Sequence, residues 1–122
     1  MGSHPINLAF RFLLEIGALL SMGYWGWTQH EGVARFVWAI GLPVVSAVIW
    51  GTFAVPDDPS RSGKAPVPVP GIVRLLLELV FFALATLAIV ASGMETAGTI
   101  FGAVVVVHYV ISYDRIGWLV RN

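Results

Sequence analysis

Along the chain, apolar residues gather in four long runs, at about 6–27, 33–55, 72–92 and 97–113, with polar residues between them. A helix that crosses a bilayer needs roughly 20 mainly apolar residues. Each run therefore predicts one transmembrane helix, the fourth being the shortest. The breaks at 28–32 and 93–96 are short, and short connections make antiparallel neighbours, so the pattern predicts two helical hairpins. Asn7, just after Pro5, is placed to cap the first helix. The hairpins are joined by 56–71, the one long polar stretch, with Asp57, Asp58, Pro59, Arg61, Ser62, Gly63 and Lys64. Its second half, Ala65-Pro66-Val67-Pro68-Val69-Pro70, forbids helix and favours an extended, polyproline-like path. It reads as a stiff strap along the membrane surface; a ligand for proline-recognising modules is the competing reading of such a segment.

Composition turns this pattern into a class. The 122 residues are 57% hydrophobic and 11% charged, with a mean hydropathy of +0.82. An ordinary soluble domain carries about 25% charged residues, and a small domain buries only about two thirds of its surface, so one soluble core could not hide this much apolar surface. The expected fold is all-α: a single transmembrane domain over 1–122, an integral membrane four-helix bundle made of two hairpins. A formal net charge of zero leaves no basic stripe for phosphates, which argues against a nucleic-acid partner. There is no cysteine, which removes disulfides, thiol catalysis and cysteine-ligated metals. Met1-Gly2-Ser3-His4 reads as part of an expression tag and is set aside. The first run is too long, and too aromatic at its end, for a cleaved signal peptide.

Basic residues set the expected orientation. Arg61, Lys64, Arg115 and Arg121 fall on the side that holds the termini and the central linker, while Arg35 stands alone opposite, with Glu31 and Glu95. Both termini are expected in the cytoplasm. Tyr24, Trp25, Trp27 and Trp38 would mark the outer interface, and Trp50, Tyr109, Tyr113 and Trp118 the inner one.

The chemistry concentrates in a motif that occurs twice. Arg11-Phe12-Leu13-Leu14-Glu15 returns as Arg74-Leu75-Leu76-Leu77-Glu78. Each copy sets an arginine and a glutamate four residues apart, on one helical face. The first and third helices point the same way, so duplication would relate the hairpins by a pseudo-twofold axis along the membrane normal. Such symmetry would bring Arg11 opposite Glu78 and Arg74 opposite Glu15, closing a ring of alternating charge. The arginines lie near the inner interface and could snorkel to water. The glutamates lie one turn, roughly 6 Å, deeper. Such a ring could be glue that fixes helix rotation, a proton, ion or substrate site, or part of a subunit interface.

Other polar positions are weaker. His108 and Tyr109 in the fourth run could relay protons or, through the histidine, bind haem; a histidine held within the bundle is the plainer reading. Asp114 and Arg115 read as an interfacial pair, with the tail 116–122 as an amphipathic turn on the surface. Pro43, after Gly41-Leu42, predicts a kink that Ser46 could help to satisfy. Gly17, Ala18 and Ser21, and the pair Gly98 and Gly102, offer close-packing faces within or between chains. No catalytic constellation, phosphate loop or metal quartet is present, so neither an enzyme nor a cofactor is expected.

The ordered set Asn7-Leu8-Ala9-Phe10-Arg11-Phe12-Leu13-Leu14-Glu15, Gly23-Tyr24-Trp25-Gly26, Trp50-Gly51-Thr52-Phe53 before Pro56, and Arg74-Leu75-Leu76-Leu77-Glu78-Leu79 resembles the YrdB-like small bacterial membrane proteins over nearly the whole chain. The resemblance implies four transmembrane helices in a bacterial inner membrane and implies no activity. From the residues, the leading expectation is a small transporter or channel-like protein, a potential homo-oligomer, with Glu15 and Glu78 carrying a proton or cation and Arg11 and Arg74 tuning them. The alternative is a structural or accessory protein that binds lipid or a membrane-protein partner, its charges locking the fold.

Overall fold

Pro5 at the first turn and the His4 side chain, whose Nδ1 accepts the Ile6 amide at 3.2 Å, start the first helix, α1 (Pro5–Thr28). The capping role expected of Asn7 is thus taken by His4. In this computed structural model, residues 4–59 and 64–122 are described. Met1, Gly2 and Ser3, and with them Ser60, Arg61, Ser62 and Gly63 of the linker, lie outside the described residues, so the place of Arg61 in the expected orientation is not fixed. After α1 come α2 (Gly32–Thr52), the two-residue strands β1 (Phe53–Ala54) and β2 (Val67–Pro68), α3 (Gly71–Ala91), α4 (Glu95–Ile111) and α5 (Tyr113–Arg121).

The turns follow from local chemistry. At the end of α3, the Met94 amide donates to the Ile89 carbonyl and the Gly93 amide to the Val90 carbonyl. This is the two-bond closure that needs a left-handed residue just past a helix, and Gly93 supplies it at φ 88°. The strap is more than a surface path. β1 and β2 pair in parallel, Phe53 opposite Val67, and the Val69 amide donates to the Ala54 carbonyl at 2.9 Å. Prolines at alternate positions leave only the alternate amides as donors, and these suffice for one short ladder. That ladder is also why α2 stops at Thr52, three residues before the expected end.

Among the described residues there are five helices, where four were expected. The fourth run ends at Ile111, and after Ser112 the chain bends by 69° into α5. Of the five, α1, α2 and α3 are long and apolar enough to cross a membrane, and α4 with α5 would make a fourth span if the bent pair is counted as one.

α1 and α3 lie at the centre, with α2 packed on α1 and α4 on α3, while α5 crosses the start of α3. Leu14, Ala18, Met22, Phe82, Ala85 and Val105 form the heart of the core. Glycines set the close approaches. A Cβ on Gly26 would lie 2.6 Å from the Trp38 backbone, and one on Gly71 would overlap the Leu119 carbonyl. Gly98 and Gly102 face Val90 and Thr86 of α3, so this pair is used within the chain. α2 runs unbroken through Pro43 and buries no residue. Ser46 does not turn to the backbone; its hydroxyl donates to Met22 Sδ at 3.3 Å. Between α2 and α3 runs an open apolar cleft of about 400 Å³, lined by residues such as Met22, Trp38, Leu42 and Leu84.

Candidate functional site

Arg74 and Glu78 stand one turn apart on the buried face of α3, as their spacing requires, and Arg74 Nε donates to Glu78 Oε2 at 2.8 Å. Glu78 is fully buried, at 0% exposure. The same carboxylate accepts from three further helices. Arg11 of α1 donates to Oε2 at 2.9 Å, and the Tyr109 hydroxyl of α4 donates to Oε1 at 2.8 Å. Arg115 of α5 grips both oxygens, Nη1 to Oε1 at 2.7 Å and Nη2 to Oε2 at 2.8 Å. The two-pronged guanidinium matches a carboxylate in shape as well as charge.

The cations reach outward from this hub. Arg74 Nη1 donates to the carbonyls of Trp50 and Phe53, the latter at 2.7 Å. These lie at the end of α2, where carbonyls lack helical partners and the helix dipole is negative. Arg74 also stacks on the Trp50 ring, 4.4 Å from its centroid. Arg115 Nη2 donates to Asp58 Oδ2 at 2.9 Å, pinning the linker just after β1. Asp58 is buried, and it follows Asp57, whose positive φ of 63° turns the chain inward. Arg11 Nε faces Glu15 at 3.3 Å, and the Arg11 guanidinium lies 5.5 Å from the centroid of the Trp50 ring. At the break between α4 and α5, Asn7 Nδ2 donates to the Ser112 hydroxyl at 2.7 Å.

The cluster thus balances Arg11, Arg74 and Arg115 against Glu15, Asp58 and Glu78. Burying a lone ion costs several kcal/mol, which close pairing offsets only when the remaining hydrogen-bonding capacity is met. Glu78 meets that condition with five donated hydrogens.

This is not the ring that the repeat predicts. Arg11 does meet Glu78, but Arg74 pairs with Glu78 on its own helix and not with Glu15. Arg115 of α5 binds the same carboxylate, so the charges form a star around Glu78. Arg115, expected to pair with Asp114 at the surface, is buried, while Asp114 is exposed. Trp50 and Tyr109, expected at the inner lipid interface, turn inward to the cluster. At the other end of the molecule, Trp25 and Trp38 pack edge to face at 6.2 Å, His30 stacks on Trp38 at 5.0 Å, and Arg35 covers Trp27 at 4.5 Å. His108 is buried at 2% exposure, edge-on to Phe10 and Tyr109, with no hydrogen-bond partner for Nδ1 among the described residues. Nor do the described residues gather three His, Cys, Asp or Glu side chains as a metal would need. Nothing in the sequence pointed to Asp58 joining the cluster, and Trp50 and Asn7 were singled out there for other roles, as an interface aromatic and a helix cap. The charge of Asp58 was one of several in the polar half of the linker, beside Asp57, Arg61 and Lys64, and carried no mark of its own.

The family described as "Protein of unknown function (DUF2568)" matches residues 9–106. The chain is 41% identical over 116 residues to "Uncharacterized protein YrdB" of Bacillus subtilis (strain 168), covering 95% of this chain and 94% of that protein. No solved structure matches. The family match spans most of the chain, the relative spans nearly all of it, and the chain therefore belongs to the DUF2568 family of proteins of unknown function, of which YrdB is a relative.

Proposed function

We propose that this chain is a non-catalytic integral protein of the bacterial cytoplasmic membrane whose charged cluster is a fold lock. In this reading α1 to α4 cross the bilayer as two hairpins, both termini and the strap face the cytoplasm, and α5 lies at the cytoplasmic surface. One observation carries it: the fully buried Glu78 carboxylate is held by donors from α1, α3, α4 and α5 at once, and Arg74 extends the same connection to the end of α2. A site that takes up and releases cargo needs a group it can let go. Glu78 is committed on every side, which favours a structural role over carriage. With the helices fixed in this way, the exposed apolar side of α2, a helix with no fully buried residue, is left for lipid, for a membrane-protein partner or for a second copy.

The competing reading is transport of a proton or cation through Glu15 and Glu78, for which charges within apolar helices are the usual motive. One paired experiment separates the two. Wild type, Glu15→Gln, Glu78→Gln and the double variant are purified, melted in detergent, and assayed for proton-coupled flux in proteoliposomes. The lock predicts a large loss of melting temperature in Glu78→Gln and no flux in the wild type. Flux in the wild type that disappears in Glu78→Gln while the melting temperature holds overturns it.

A further inference from the structure

The two repeats carry equivalent carboxylates, and the fold treats them unequally. Glu78 is fully buried and accepts five hydrogen bonds. The Glu15 side chain keeps 22% of its surface exposed and holds one ion pair, to Arg11 Nε at 3.3 Å. We propose that Glu15 is a proton-exchange site within the apolar part of the molecule, passing between carboxylate and carboxylic acid while the lock around Glu78 stays closed.

Every group that faces Glu15 fits this division. On its own helix stands Arg11, from α2 comes Trp50, and from α3 the nearest charges are Glu78 and Arg74. Tyr109 of α4 and Arg115 of α5 reach Glu78 and are already engaged there. Neutralising Glu15 does not strand Arg11, because its Nη2 remains on Glu78 at 2.9 Å. Neutralising Glu78 would take the common carboxylate from three guanidinium groups together. A metal cation fits Glu15 poorly: hard cations take several oxygen ligands, and the partner of this carboxylate is the Arg11 guanidinium. The ligand is a proton.

The inference rests on the membrane reading above, and its test is arranged so that the two fail separately. The full-length chain in lipid vesicles is treated with a hydrophobic carbodiimide, which adds only to the protonated acid, and the adduct is mapped by peptide mass. The expected result is an adduct on Glu15 whose yield falls as pH rises, with Glu78 unmodified. Glu15→Gln should lose the adduct and lower the melting temperature far less than Glu78→Gln does. Infrared titration measures the same event without a bulky reagent: a carboxylic acid C=O band that appears on acidification should be absent in Glu15→Gln. No adduct on Glu15 and no such band overturn the proposal and leave the lock standing. Modification of Glu78 to the same extent as Glu15 overturns the lock.

Discussion

Glu78 and Glu15 show how far an identical local sequence can diverge in surroundings. Both follow an arginine by four residues on an apolar helix, yet one is the meeting point of four helices and the other sits at the edge, against Trp50. Removing one partner from a buried, hydrogen-bonded ion pair costs about 3–5 kcal/mol, so Glu78→Gln should lower stability by that order in a denaturant titration. Glu15→Gln should cost far less, since its partner keeps a second carboxylate. Tyr109→Phe removes one neutral donor to a charged acceptor, an interaction of about 1.5–3 kcal/mol, and should fall between them. That Arg11, Glu15, Arg74 and Glu78 would be paired was legible, because charge inside an apolar run asks for a partner. Which of them is central was not, because Arg115 is near them only in space.

The helices themselves are set by run length and by the residues that end them. α1 matches its apolar run to within a residue or so at each end. α2 stops early because Phe53 and Ala54 find hydrogen-bonding partners in the strap, and α4 stops at Ile111 because Ser112, bonded to Asn7, marks the bend into α5. Close packing is local as well. Gly26 touches the Trp38 backbone, whereas a side chain on Gly41 would meet nothing within 4 Å. Gly26→Ala should therefore push α2 off α1 and lower the melting temperature. Gly41→Ala, in an open helix position, should be neutral or stabilise by about 0.5–1 kcal/mol. The contrast between two glycine-to-alanine changes tests the packing without touching a charge.

Across the molecule, Arg115 joins three parts that lie far apart in sequence: α5, the linker at Asp58 and the hub on α3. α5 is further seated by Leu119 against Gly71, at the first residue of α3. Loss of Arg115 should free the tail and the linker together. Arg115→Met, which keeps length and apolar bulk, is expected to speed proteolytic cleavage within 56–71 and beyond 112. Asp58→Asn is expected to speed only the first. Equal rates for wild type and Arg115→Met would show that α5 and the linker are held by other contacts. The exposed apolar faces of α1, α2 and α3 agree with a chain whose solvent is lipid, in which internal polar pairing, more than hydrophobic burial, decides how helices are arranged.

The linear order of residues settles the all-α character, the positions of the apolar helices, the short turns and the presence of charges that need partners. These follow from run length, hydropathy and spacing along one helix, which are local quantities. It does not settle that one glutamate serves four helices, that α5 folds back over α3, or that a linker aspartate is drawn into the cluster. Those contacts join residues from opposite ends of the chain, and a carboxylate accepts whichever donors the packing delivers. The near-symmetry of the two motifs suggested a balanced ring. The fold instead brings three arginines, one of them from a helix with no counterpart in the repeat, to a single carboxylate.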